Sequence, residues 1–394
     1  MRIIQIMHHS LSPFYDSIDP RYYEGDWHTR LAKEVLKRTN EYSIECWRPE
    51  RTVKDTFVRE ENGITYRIFP SIYARFGREY SIPLLRELKR QSREGKILIH
   101  LHGIHNHLTF LISYFFKNLP ILAQHHGSSP SLVTLKKSKH PLRLLVLLEY
   151  FPEKIALRNI DHFFVLTEDE RSYLANCVGP HKVEVQTMGI DFDVFKPINK
   201  ELARAELKLE REKKYLLYVG HLVRAKGLEY LLQALPAILD KYPDTVLLLA
   251  GQGIYKHHLS TMSHNLGVSE HTVFLGHVKN DQLPLFYSAA DVFVLPSLSE
   301  GAPVSCIEAM ACGTPVVATA VGGIPLITRT FNSGNLIPPK DHEAIGEAVR
   351  FVLGSSDSFV IDRKKGQERY GWEAVVNNTL NSYRDLFHAY YGKN

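Results

Sequence analysis

The chain has 394 residues, 44% of them hydrophobic and 23% charged, with a formal net charge of +5. That length suits two domains better than one, and the composition excludes disordered, collagen-like and disulfide-stapled classes. No stretch reaches the roughly 18 apolar residues of a membrane span, and the short apolar start MRIIQIM runs straight into polar residues, unlike a secretory signal.

The charge is unevenly spread. Residues 1–160 carry 25 Lys and Arg against 16 Asp and Glu, a net +9, while the remainder carries a net −4. A basic first half is compatible with an anionic partner such as a membrane face, and equally with unevenly solvated charge. Cys46, Cys177, Cys306 and Cys312 show neither metal-type nor disulfide-framework spacing and read as reduced thiols. The expected location is cytoplasmic, with attachment to the cytoplasmic membrane face left open.

In chain order, short apolar runs predict strands at Arg2–Met7, Tyr42–Trp47, Ile64–Phe69, Ile97–Leu101, Ile121–Gln124, His162–Leu166 and Val183–Thr187. The series continues at Tyr215–Val219, Thr245–Ala250, Thr272–Leu275, Val292–Leu295 and Pro315–Thr319. Helical stretches lie between. The clearest is Lys226–Lys241, with Leu228, Leu231, Leu232, Leu235, Ile238 and Leu239 on one stripe and a kink expected at Pro236. Trp372–Tyr391 reads as a terminal helix packing back on the body. This alternation predicts buried parallel sheets covered by helices on both faces. The pattern restarts after the charged stretch Pro197–Lys214, so residues 1–197 form one expected domain, 198–370 a second, and 371–394 the terminal helix. The fold class is therefore α/β, with two Rossmann-like doubly wound domains facing a central cleft. In open sheets of this kind ligands bind outside the carboxyl ends of the strands.

Asp291–Thr319, DVFVLPSLSEGAPVSCIEAMACGTPVVAT, reads strand, loop, helix, glycine turn, strand. Glu300 ends the loop, and Gly301, Ala302, Pro303 and Val304 form the helix entrance, with Pro303 expected in the first turn, where its missing donor is harmless. Open amides and the helix dipole make such an entrance a diphosphate site. Glu308, further into the helix, is suited to accepting hydrogen bonds from two neighbouring ribose hydroxyls.

The two Glu and the following EAMACGTPVVAT resemble the donor-site motif of family 4 glycosyltransferases, retaining enzymes with the type B two-domain architecture. The resemblance implies that Glu308 holds the nucleotide's ribose and that Glu300 lies near the transferred sugar. It extends to Tyr215–Gly227, YLLYVGHLVRAKG, where Lys226 matches a family cation that neutralises the departing diphosphate; His221 stands in place of the family's Arg, with Arg224 close by as a substitute. MGIDFDVFKP at Met188–Pro197 resembles the family's domain-junction segment. VFLGHV at Val273–Val278 resembles the stretch whose backbone near His277 and Val278 holds the nucleobase. Gly322-Gly323-Ile324-Pro325 resembles a later turn, with Leu326 where the family has Glu.

The first half matches more sparsely. Gln124-His125-His126-Gly127 resembles a strand–His–Gly element whose His, here His126, reaches the donor sugar in the family. Gly25 is what remains of a glycine pair near phosphate and acceptor. His100, His102, His105 and His107 crowd a strand end without carboxylate or Cys partners at zinc spacing, and read as a polar rim. Asp191-Phe192-Asp193 looks like a metal-binding Asp-x-Asp but falls in the junction segment, so no metal ligand and no required divalent ion or other cofactor is expected. Lys136, Lys137, Lys139, His140 and Arg143, with Arg86, Lys89, Arg90 and Arg93, are a candidate contact for anionic membrane, or simply solvated helix faces. The expected partners are a nucleotide-sugar donor and a glycan or lipid-linked acceptor, without nucleic acid. The implied function is retaining transfer of a hexose in glycan or polysaccharide synthesis. The alternatives are a non-enzymatic two-domain sugar-binding protein and a sugar-nucleotide epimerase of the same architecture.

Overall fold

A computed structural model describes residues 1–8, 19, 21–22, 27–74, 78–126, 153–355 and 359–392. The chain divides into two compact units, one made of Met1–Thr187 with Val376–Asn394 and the other of Met188–Val375.

The first unit runs β1 (Arg2–Met7), α1 (Trp27–Leu36), β2 (Ser43–Glu50), β3 (Phe57–Glu61), β4 (Ile64–Pro70), β5 (Ile72–Ala74), β6 (Arg78–Tyr80), α2 (Ile82–Glu94), β7 (Ile97–His102), α3 (His107–Phe115), β8 (Ile121–Gln124), β9 (His162–Val165), α4 (Glu168–Val178) and β10 (Val183–Val185). Its main sheet has the order β10-β9-β8-β7-β1-β2-β4-β3, parallel throughout except for β3. Ile3, Ile4, Leu98, Ile99 and Leu122 are fully buried, as both-face coverage of a parallel sheet requires. β3 was not expected. Its sequence FVREE is mostly exposed, and it pairs antiparallel on the sheet edge, where one wet face allows charge. β2 runs three residues past the expected end. Arg48, Pro49 and Glu50 continue along β4, but the last β1 partner is Trp47, so Pro49 stands where one neighbour has already dropped away.

The second unit runs α5 (Lys200–Glu206), β11 (Lys214–Val219), α6 (Leu228–Leu239), β12 (Thr245–Ala250), α7 (Lys256–Asn265), β13 (Thr272–Gly276), α8 (Leu283–Ala289), β14 (Val292–Leu295), α9 (Val304–Ala311), β15 (Val316–Thr319), α10 (Ile324–Thr330), β16 (Asn335–Ile337), α11 (His342–Gly354) and α12 (Arg363–Tyr370). All strands are parallel in the order β13-β12-β11-β14-β15-β16, the doubly wound dinucleotide-binding arrangement. The leucine stripe of α6 is buried as its spacing predicts. The helix begins after a short 3₁₀ turn at Arg224–Lys226 rather than at Lys226, and it continues through Pro236. The charged stretch after Pro197 folds as α5. Arg204, 6% exposed, reaches Asp291 at 2.7 Å, and Asp291 also accepts from the Tyr215 amide at 2.7 Å, tying α5 to the starts of β11 and β14.

The last helix, α13 (Trp372–Tyr391), packs Val376, Thr379, Leu380, Tyr383 and Phe387 into buried positions. Its Tyr383 approaches His100 of β7 at 2.7 Å.

Candidate active site

In the second unit the strand order reverses between β11 and β14, and the crevice for a ligand opens past their carboxyl ends. The segments that follow those strands are His221–Lys226 and Ser297–Val304, which carry the residues singled out above. They are knit together by backbone. The Leu298 amide donates to the Ala225 carbonyl at 2.8 Å, Leu222 to Gln252 at 2.8 Å, and Gly323 to Gly301 at 2.6 Å. Gly227, at φ +62°, passes so near Pro296 that a Cβ would strike its carbonyl oxygen. Gly322, at φ +56°, lies equally close to the carbonyl of Glu300. The Gly-Gly turn thus shapes the Glu300 loop from beneath, and Thr319 supports it by donating to the Ser297 carbonyl at 2.6 Å.

Lys226 and Glu300 meet at 2.6 Å, and Ser297 Oγ donates to the same carboxylate oxygen at 2.6 Å. Lys226 keeps 23% of its side chain exposed against 7% for Glu300, so the ammonium forms the outer member of the pair. Arg224 and His221 are exposed on the same loop, and the His221 carbonyl accepts from Tyr218 at 2.9 Å. Pro303 takes the cap position of α9, one residue before the expected first turn, and no side chain caps the helix. Its entrance at Gly301 and Ala302 is half-buried. Glu308 is 8% exposed, and Tyr287 Oη donates to its Oε2 at 2.8 Å. Burial, and then the Glu308 charge, push the Tyr287 phenol well above its usual range, so it stays a donor. Burial likewise pushes the Cys306 thiol up to about 12, which removes it as a nucleophile. His277 follows β13 and is exposed, while Val278 packs against the core.

Neither Tyr287 nor Ser297 was singled out from sequence. Ser297 has a local signal, three residues before its acceptor. Tyr287 has none, because 21 residues and a strand separate it from Glu308.

In the first unit the strand order reverses between β1 and β7, and histidines gather past those ends. His126 Nε2 lies 3.1 Å from His102 Nδ1 with the rings stacked, His102 Nε2 lies 3.2 Å from Gln5 Oε1, and His8 Nδ1 lies 2.6 Å from the His102 carbonyl. Since the Gln5 oxygen only accepts, His102 donates through Nε2, its Nδ1 accepts, and His126 donates through Nε2. Burial pushes His100 down to about 3 and holds His102 and His126 well below the usual range. His105 pairs with Glu153 at 2.6 Å and His125 with Glu170 at 2.9 Å. Among the described residues no three His, Cys, Asp or Glu side chains gather to hold a metal, and no helix is long and apolar enough to cross a membrane. Asp191 Oδ1 accepts from the amides of Asp193 and Val194, so it closes a turn. On α2, Arg90 is paired with Glu87 and Glu94, which offsets part of that basic face. Gly25, Gly127 and the Lys136–Arg143 cluster lie outside the described residues.

Comparison with known proteins agrees with this architecture. The model of Glycosyltransferase Family 4 matches residues 29–194, and that of Glycosyl transferases group 1 matches residues 199–369. An uncharacterised glycosyltransferase of Methanocaldococcus jannaschii is 37% identical over 185 residues, 46% of this chain and 47% of that protein. The chain spans about half the length of the curated relatives it matches. Sucrose-phosphate synthase of Thermosynechococcus elongatus superposes with a TM-score of 0.76 at 23% identity, covering 99% of this chain and 100% of that one. Anabaena HepE, in complex with UDP, gives 0.72 at 16% identity over 98% and 100%. With one model over each half and two parallel-sheet α/β units of the type B class, the chain belongs to the family 4 glycosyltransferases.

Proposed function

We propose that the protein transfers a hexose from a nucleoside-diphosphate sugar to a hydroxyl of a glycan or lipid-linked acceptor, with retention of anomeric configuration. One observation carries the reading: the uncapped start of α9 opens beside the Lys226–Glu300 pair, with Glu308 buried within the same helix. The α9 amides and the cations of Lys226 and Arg224 supply positive charge where the diphosphate charge grows as the sugar leaves. His221, exposed on the same loop, is a further candidate donor, and His277 and Val278 flank the nucleobase. No divalent ion is needed for this neutralisation. Glu300 is assigned to the sugar and Glu308 to the ribose.

Among the described residues of the second unit no side chain stands out as a nucleophile, which favours a front-face route. The bond between C1 and the phosphate oxygen breaks as the acceptor oxygen bonds to C1 on the same face. The acceptor's proton passes to the departing phosphate.

The test is turnover of UDP-, GDP- and ADP-sugars with and without EDTA, with product configuration read by proton coupling. UDP, the ligand of the HepE structure, is the first base to try. Release of nucleoside diphosphate coupled to an acceptor, insensitive to EDTA and with retained configuration, is expected. Inverted product would overturn the front-face route. Binding of free sugar without nucleotide would favour a non-catalytic sugar-binding protein, and a sugar epimerised without transfer would favour an epimerase.

A further inference from the structure

Tyr287 has the setting of a fixed post. It is fully buried on α8, its ring lies edge-on to Phe195 and Phe293 at centroid distances of 6.2 and 5.6 Å, and its carbonyl accepts from Thr314 Oγ1 at 2.7 Å. Its hydroxyl is aimed at one oxygen of Glu308, 2.8 Å away. A carboxylate set among Ile307, Ala309 and Met310 on this helix has a broad terminal torsion unless hydrogen bonds fix it. A buried phenol in turn needs a partner for its hydroxyl. Each group meets the other's requirement, and together they set the plane in which Glu308 accepts.

We propose that Tyr287 is a positioning residue for ribose recognition: by holding Glu308 Oε2 it orients the carboxylate toward the adjacent 2′- and 3′-hydroxyls of the nucleotide. The inference rests on the donor-site reading above and makes the site select ribonucleotides over deoxyribonucleotides. Without the phenol, Oε2 loses the hydrogen bond that fixes it, and affinity falls most for the ribose-dependent part.

The experiment measures dissociation constants of UDP, 2′-deoxy-UDP and 3′-deoxy-UDP for the full chain, wild type and Tyr287→Phe. The GDP or ADP series is used instead where the wild type prefers that base. The expected result is roughly tenfold weaker binding of the ribonucleotide by Tyr287→Phe, the scale of one hydrogen bond to a charged group, with each deoxy form, which keeps one hydroxyl for Glu308, weakened less. The ribose-to-deoxyribose preference therefore shrinks. Should Tyr287→Phe not fold, Tyr287→Met, which keeps volume with an adaptable chain, serves for the same comparison. Equal weakening of all three nucleotides would reduce Tyr287 to a structural support and overturn the inference, as would no change in any. Those outcomes leave the donor site standing, because the wild type still binds. Failure of the wild type to bind any nucleotide would overturn the function and this inference together.

Discussion

Lys226, Glu300 and Glu308 carry opposite charge into partly dry surroundings, and each is proposed to answer to a different part of the donor. Replacing Glu308 by Ala removes charged hydrogen bonds each worth about 1.5–3 kcal/mol, so nucleotide affinity should fall at least tenfold, as isothermal titration would show. Lys226→Ala leaves Glu300 without its cation, its carboxylate 7% exposed. Turnover should fall more than affinity, because the cation matters most while the diphosphate charge develops. A matching drop in both would place Lys226 in ground-state binding instead. His126→Ala should lower turnover and leave nucleotide affinity intact; unchanged turnover would remove the role taken from its resemblance. The two Glu were legible because seven intervening residues and a helix entrance form a local pattern. Tyr287 was not, since its partner is set by how α8 packs against α9. The orientation of His126 was equally hidden, because His102 comes to it from β7 and is itself held by Gln5 of β1.

At the level of elements, glycine turns beneath the Glu300 loop fix its course. Gly322→Ala forces a side chain into φ +56° and against the Glu300 carbonyl. Left-handed backbone costs a non-glycine residue roughly 1–2 kcal/mol, so the melting temperature should drop while donor affinity drops further. A variant that melts lower but binds normally would show that the turn does not shape the site. The histidine-lined end of β7 predicts a pH effect. Burial pushes His100 from its ordinary 6.5 down to about 3 in the folded chain. Below 6.5 the unfolded chain takes up a proton that the folded chain refuses, so stability falls by up to about 1.4 kcal/mol per pH unit until the folded value is reached. The neighbouring imidazoles of His28 and His162 add to the effect of burial there. Urea midpoints from pH 7.5 to 5 should decline, and His100→Gln should lessen the decline, with His102 and His126 supplying the rest. The apolar strands were readable from their short runs of hydrophobic residues. β3 and the three-residue β16 were not: one carries charge on a wet edge, and the other is too short for any period to show.

For the whole molecule, two sheets of related winding each bring their chemistry to the point where strand order reverses, and that placement follows from topology more than from any single motif. The last helix adds a dependency the sequence showed only as an aromatic pattern. Tyr383 touches His100 and Gln5, and Thr379 accepts from Gln186. Deleting residues 376–394 should therefore unfold the first unit at lower denaturant while leaving the amides of β11 and β14 as protected in hydrogen exchange as before; equal loss in both units would contradict that division. The most direct test of the central claim is thermal stabilisation of the wild type and Glu308→Ala by UDP, GDP and ADP, with and without a divalent ion. A nucleotide at 100 times its dissociation constant adds about 2.7 kcal/mol. A shift by one base, independent of metal and lost in Glu308→Ala, is the predicted result. Stabilisation by no nucleotide, or a shift that survives the loss of Glu308, would contradict a donor site at the entrance of α9.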